Sequence, residues 1–184
     1  CMSDDDFHAP VMFLDSPSLN TTRHLVRYGV PTNVMHIPSN EFDEMPKTLA
    51  DAKLTGVSSS RLPNITDELA GDLFQRHPSS QPFKSIWLDY CGTAYGSQTE
   101  GIHPKHDFET IFKRGLLCRA AASDSHGSLF AVTFSARAKS RNPICAIPME
   151  IVAQIGSLAN QYGYKAVLHN TVLYQHIFLL FRVY

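Results

Sequence analysis

Ile86-Trp87-Leu88-Asp89-Tyr90-Cys91-Gly92-Thr93 is the stretch on which the reading of the fold turns. An apolar run ends in an aspartate, an aromatic residue and a Gly-Thr turn. A buried parallel strand has this pattern where it delivers a polar group to the rim of an open α/β sheet. Val11-Met12-Phe13-Leu14-Asp15-Ser16-Pro17 repeats the pattern, and Leu129-Phe130-Ala131-Val132-Thr133-Phe134-Ser135 is a third candidate strand. If the three are neighbours, their C-terminal ends share one crevice, and the functional groups are expected there.

Working outward, the chain alternates strands with helices. Val11–Leu14 reads as the first strand and Asp15–Ser18 as its exit turn. Asn20, Thr21 or Thr22 caps the helix that follows, with Leu25, Val26 and Tyr28 on its buried side and Gly29 as its stop. Val34–Ile37 is a short strand closed by Pro38, with Ser39-Asn40-Glu41 as its exit loop. Glu41–Lys53 has helical composition, and Leu54–Ser58 is a weak candidate strand. A helix over Asp67–Arg76 and a loop at His77–Pro82 lead to the central strand, Lys84–Tyr90.

Gly92–Pro104 is long enough to be an active-site loop rather than a connector. The spacing of Phe108, Ile111, Phe112, Gly115 and Leu116 predicts a helix over Asp107–Ala122. Gly127–Ser135 is the next strand, Ala136–Asn142 a basic loop, and Met149–Tyr162 a helix stopped by Gly163. Tyr164–Leu173 and Ile177–Val183 are β-rich runs with too few residues between them for a crossover helix, so they must be antiparallel. The expected architecture is α/β: one mostly parallel twisted sheet with helices on both faces and a C-terminal antiparallel hairpin. Residues 1–10 are expected to form a polar, flexible lead-in and residues 11–184 one methyltransferase-like α/β domain.

With 184 residues and a net charge of -1, the chain as a whole is not built to bind a polyanion. Charge is nevertheless uneven. Acidic residues dominate residues 1–72, whereas Lys105, Lys113, Arg114, Arg119, Arg137, Lys139 and Arg141 outnumber Asp107, Glu109 and Asp124. That segment is a candidate basic face for RNA or DNA, set against the ordinary reading of solvated helix sides. Cys1, Cys91, Cys118 and Cys145 form no Cys-x-x-Cys pair, which favours free thiols in a reducing, intracellular compartment. No apolar run approaches the length of a membrane span. The chain opens on Cys1 instead of methionine, so it is read as processed or as a fragment, and targeting information is not legible.

The order of elements resembles the class I S-adenosylmethionine-dependent methyltransferases, over nearly the whole chain from Val11 to Val183, as a divergent member. That family has seven strands, the last of them antiparallel and inserted beside the fifth. The resemblance rests on three landmarks. Asp15 with Ser16, Pro17 and Asn20 stands at the acidic end of strand one and its cofactor loop. Ser39, Asn40 or Glu41 stands where the family holds the cofactor ribose, with His36 just inside the strand. Asp89-Tyr90-Cys91-Gly92-Thr93 matches the motif after strand four. The resemblance implies S-adenosyl-L-methionine as cofactor, with Asp89 and Tyr90 on the acceptor side and Asp15, Ser16, Pro17, Asn20, Ser39, Asn40 and Glu41 on the cofactor side.

The departures are specific. The first glycine after Asp15 is Gly29, where the family usually has a Gly-x-Gly-type loop; a Cβ interferes with close approach to the cofactor. Asp89-Tyr90-Cys91-Gly92 lacks the two prolines of the amino-methylating adenine branch, and no Lys-Asp-Lys-Glu arrangement of the ribose-methylating branch is present. Nor is there a dinucleotide fingerprint or a phosphate-binding Gly-Lys loop. The alternative to a methyltransferase is therefore a catalytically inactive relative, serving as a structural or binding module with a protein partner.

Read as chemistry, a carboxylate ending an apolar strand must face a polar crevice or be paired, so Asp89 either works on substrate or orders its loop. Asp15 either binds cofactor or closes an Asx-turn. Tyr90 either meets the acceptor or packs as an amphipathic ring. Cys91 has no adjacent histidine to activate it. His103, His106 and Asp107 have a spacing too common to assign a metal.

Overall fold

The computed structural model describes residues 9–16, 18–39, 43–61, 82–90, 104–119, 127–135, 146–173 and 176–184. Their strands form one seven-stranded sheet. β1 (Val11–Phe13), β2 (Met35–Ser39), β3 (Ser58–Arg61), β4 (Ser85–Asp89) and β5 (Ser128–Ser135) are joined by parallel pairings, and β6 (Ala166–Leu173) and β7 (His176–Val183) form the closing hairpin. The strand order is β3-β2-β1-β4-β5-β7-β6. β7 runs antiparallel between β5 and β6. The mostly parallel sheet with a C-terminal antiparallel hairpin is the architecture the sequence predicts. β4 lies at the centre with β1 on one side and β5 on the other.

The chain winds one way from β1 to β3 and the opposite way from β4 to β5. Right-handed crossovers then place the connecting helices on opposite faces. α1 (Asn20–Arg27) and α2 (Met45–Asp51) flank one face, where Phe13, Leu19, Met35, Ile37, Met45 and Leu49 form a small core. α3 (Pro104–Lys113) and α4 (Ala146–Gln161) flank the other. There Phe108 meets Phe130 edge-on at 5.7 Å and Phe112 meets Phe130 at 5.9 Å, over buried Leu88, Val132 and Leu179. Each such buried ring or aliphatic side chain contributes about 1.5–3 kcal/mol of transfer free energy, so this face carries most of the stability.

Several boundaries differ from the sequence reading, each for a local reason. α1 does not bury Val26 and Tyr28, which are 37% and 69% exposed. The inward stripe is Leu19, Thr22 and Leu25 at a spacing of three, which turns Val26 and Tyr28 away. Gly29 does stop the helix: its φ is 87°, and the Val30 and Gly29 amides close back on the Leu25 and Val26 carbonyls.

α3 starts earlier than expected, at Pro104, and ends at Lys113 instead of running to Ala122. Gly115, at φ 65°, terminates it, with Leu116 N–H bonded to Ile111 O and Gly115 N–H to Phe112 O. Phe83 and Leu117 then form a parallel bridge. The weak third strand begins at Ser58 rather than Leu54, because Leu54 N–H closes the end of α2 on Leu49 O. The expected helix at Asp67–Arg76 and the loop at 92–103 lie outside the described residues, as do Cys91 and His103.

Candidate functional site

The C-terminal ends of β1, β4 and β5 open at one rim of the sheet, and β7 starts there. Asp89 is the last residue of β4 and is paired in register with Thr133 of β5. Because side chains alternate along a strand, Trp87, Asp89 and Thr133 share the face that carries α1. His176, the first residue of β7, pairs with Ser135 two positions beyond Thr133, on that same face.

These residues form a connected polar group. The Trp87 indole N–H donates to Thr133 Oγ1 at 3.0 Å, and the Thr133 hydroxyl hydrogen-bonds the Asp89 carboxylate. A hydroxyl has one proton and two lone pairs. Accepting from Trp87 leaves its proton for Asp89, so the indole fixes the direction in which Thr133 donates. Asp89 reaches solvent at its outer edge. Partial burial still pushes its carboxyl above the usual carboxylate range. The charge of His176 and the Thr133 hydrogen bond pull it back, and the negative charge of Asp15 pushes it up further.

Asp15 itself is heavily engaged. Its Oδ2 accepts from the Thr22 amide at 2.8 Å and the Thr22 hydroxyl at 2.7 Å. Its Oδ1 accepts from the Ser16 amide at 2.9 Å and, more weakly, the Thr21 amide at 3.4 Å. The carboxylate thereby caps the N-terminus of α1 from outside, satisfying amides that a helix start leaves open and meeting the positive end of the helix dipole. The sequence reading gave this cap to Asn20, Thr21 or Thr22. The N-cap position is instead Leu19, which makes no side-chain cap bond.

Leu19 also bears on the missing glycine. It is fully buried and holds φ 53°, a left-handed conformation that bulky residues rarely adopt. The loop after β1 therefore makes the turn with a leucine, anchored in the core below α1 and bonded through its carbonyl to the Arg23 amide. Ser16 and Ser18 face each other across the turn, with hydroxyl oxygens 2.6 Å apart. Asn20 is exposed as the first residue of α1. Ser39 ends β2, paired with Arg61. Pro17, Asn40 and Glu41 lie outside the described residues.

Tyr90 is not beside Asp89. One residue further along the chain, it turns to the opposite face of the sheet and is only 6% exposed. Its ring stacks on Phe134 at 5.2 Å and 3°, and its hydroxyl donates to Asp107 Oδ2 at 2.7 Å. Burial pushes the phenol well above its ordinary value, and Asp107 adds to that through its charge and the hydrogen bond. The expectation of an Asp89–Tyr90 pair facing one acceptor is therefore corrected: strand alternation sends the two side chains to different faces. His36 is a fully buried core histidine, its Nδ1 2.8 Å from Ser58 Oγ and its ring against Phe83.

In the basic segment, Lys105, Lys113, Arg114 and Arg119 are exposed. The Arg119 guanidinium donates to the Tyr162 carbonyl at 3.0 Å and lies over the Tyr164 ring. Arg137, Lys139 and Arg141 lie outside the described residues. No helix among the described residues is long and apolar enough to cross a membrane.

No protein-family model matches the sequence, and no curated protein matches it. Solved structures match the fold. A fibrillarin pre-rRNA processing protein from Methanococcus jannaschii superposes with a TM-score of 0.55 at 12% identity, over 99% of this chain and 69% of that one. An O-methyltransferase family protein from Burkholderia thailandensis gives 0.52 at 13% identity, over 98% and 52%. PigF with SAH gives 0.54 at 9% identity, over 98% and 52%. This chain thus spans about half the length of two of these structures. Likeness at such identities is one of fold: the chain has the Rossmann-like fold of S-adenosylmethionine-dependent methyltransferases.

Proposed function

We propose that this chain binds S-adenosyl-L-methionine at the ends of β1 and β4 and catalyses methyl transfer, with Asp89 as the group that meets the acceptor. The observation carrying this reading is the Trp87–Thr133–Asp89 chain at the rim, with His176 beside it. It fixes a carboxylate at the central strand end of a sheet whose topology is that of the methyltransferases.

The donor set fits the cofactor in chemistry. S-adenosylmethionine is cationic at its sulfur and its amino group and carries a ribose diol. Asp15 and Asp89 offer negative charge, and Ser16, Asn20, Ser39, Asn40 and Glu41 offer groups that bond hydroxyls. Asp15 already serves the amides of α1, so it contributes field and loop shape more than a free ligand oxygen. The bound cofactor supplies an electrophilic methyl group; the protein's part is positioning. Asp89, held by Thr133, orients the acceptor and favours loss of its proton. His176 stabilises the Asp89 charge, and the acceptor's proton passes to the Asp89 carboxylate as the methyl group is transferred. Tyr90 acts from below, packing β4 against Phe134 and tying it to α3 through Asp107. The acceptor that suits the exposed Lys105, Lys113 and Arg114 is RNA or DNA.

Calorimetry with S-adenosylmethionine and S-adenosylhomocysteine tests the reading. Saturable binding of both, weakened in Asp89→Asn, is expected. Absence of heat at millimolar cofactor supports the second reading, a non-catalytic module with a protein partner. That reading is favoured by one observation: both Asp15 carboxylate oxygens are already committed to the chain itself.

A further inference from the structure

We infer that the outer face of α1 holds the phosphate backbone of a single-stranded RNA acceptor beside the Asp89 rim. The inference rests on the proposed reading for its nucleic-acid acceptor and moves the surface that binds it. α1 has no acidic residue, yet Arg23, His24 and Arg27 are exposed along it. Every other described α-helix carries an acid. Asp51 accompanies Lys47 in α2, Asp107 and Glu109 accompany Lys105 and Lys113 in α3, and α4 has Glu150. α1 is thus the one helix among the described residues with arginines and nothing to balance them.

Helical geometry gathers these cations into one stripe. Leu19, Thr22 and Leu25 turn to the protein interior, which leaves Arg23, His24 and Arg27 on the opposite side. Arg23 and Arg27 stand four residues apart, about 6 Å along the axis. Like charges at that spacing repel and weaken a helix. Among the described residues neither guanidinium has an ion-pair partner. Phosphates relieve this repulsion, and a guanidinium fork bonds their oxygens in pairs.

Position ties the stripe to the site. The Asp15 carboxylate holds the Thr21 and Thr22 amides, so α1 starts at the rim. Asp89 shares the sheet face that carries α1, and a strand lying along the stripe leads to it. Lys105 and Lys113 belong to α3 on the other face, and Arg119 is engaged by the Tyr162 carbonyl and the Tyr164 ring. At the far end of α1, Tyr28 is exposed and meets the His24 ring edge-on at 4.8 Å. An exposed ring beside cations stacks an unpaired base. RNA loops and ends supply such bases, and duplex DNA does not.

Fluorescence anisotropy of a labelled RNA of about 12 nucleotides, titrated with the full chain between about 50 and 200 mM salt, is the test. Arg23→Gln/Arg27→Gln is expected to weaken binding about tenfold at the lowest salt. It should also cut the slope of log affinity against log salt by about 1.4, the loss of two single-strand phosphate contacts. Arg23→Lys/Arg27→Lys should keep the slope. Tyr28→Ala should weaken binding about fivefold or more with the slope unchanged. A glutamate peptide and a duplex DNA of matching length should each bind more weakly than the RNA. Unchanged affinity and slope in the glutamine pair overturn the inference and leave the nucleic-acid acceptor standing. No RNA binding by the wild type overturns both. Peptide binding as tight as RNA would mean an acidic protein surface, and equal duplex binding a DNA one; either overturns the inference. So does a loss of urea stability in the glutamine pair that the lysine pair does not share, which would mean that an acidic stretch of the chain itself covers α1.

Discussion

The Trp87 indole N–H and the Thr133 hydroxyl meet at 3.0 Å on neighbouring strands, and that bond aims the Thr133 proton at Asp89. Replacing Thr133 by valine keeps the volume and removes both bonds. The indole N–H then loses its partner, at a cost of about 1–3 kcal/mol, and Asp89 loses one of the two influences holding its carboxyl down. Urea unfolding should show the destabilisation, and Thr133→Ser should recover most of it. Equal stability of Thr133→Val and wild type would mean the bond has no structural weight.

Asp89 should make the protein less stable as its carboxyl ionises. Its folded pKa is raised above the ordinary value, with burial as the largest cause. A group raised in this way contributes stability that is fully present below its unfolded pKa and is lost as pH rises through the folded one. Asp89→Asn removes this dependence. Its urea midpoint should therefore equal or exceed that of wild type at pH 7 and lose the advantage below pH 4, while acceptor turnover falls. A variant less stable than wild type at pH 7 would mean the attraction of His176 outweighs desolvation.

Asp15→Ala is expected to cost about 1–2 kcal/mol, the usual loss of a helix N-cap, because it frees the Thr21 and Thr22 amides of α1 together. Asp15→Asn retains one acceptor oxygen and should recover part of that. Loss of cofactor binding in both variants, with stability preserved in the asparagine one, would assign the carboxylate to the ligand as well as to the helix.

Tyr90→Phe separates packing from chemistry. The ring keeps its stack on Phe134, while Asp107 loses a donor. A stability loss of about 1 kcal/mol is expected, with cofactor binding unchanged. In wild type the phenol should stay protonated to pH values beyond those at which free tyrosine ionises, as followed by absorbance near 295 nm. Loss of turnover in a stably folded Tyr90→Phe would return the hydroxyl to the acceptor side.

The sequence made the sheet and its rim legible because both rest on local signals. Apolar runs ending in Asp15 and Asp89 mark strand ends, and the short link between the last two runs forces a hairpin. Tyr90 was misplaced for a different reason. The resemblance puts Asp89 and Tyr90 together on the acceptor side, whereas a strand running to Tyr90, whose amide bonds the Thr133 carbonyl, sends consecutive side chains to opposite faces. Thr133 and His176 belong to the site through pairings that span many residues of chain. No local pattern encodes that register, although the expected hairpin start at Ile177 lay next to His176. Leu19 was invisible because leucine is not a residue that signals positive φ, and only its burial in the core holds it there.

If Asp15, Asp89 and His176 share one crevice, each neighbour should move the Asp89 carboxyl in a different direction. His176 is the largest influence lowering it and Asp15 an influence raising it. His176→Asn should therefore raise the Asp89 pKa, and Asp15→Asn should lower it, both followed by carbon-detected NMR of the Asp89 side chain against pH. The double variant should fall between the two, because the effects oppose. Salt should shrink both shifts, since Asp89 is open to solvent on one side. A shift of the same sign in both single variants would mean that the substitutions act by changing burial, and that the three groups do not face one another.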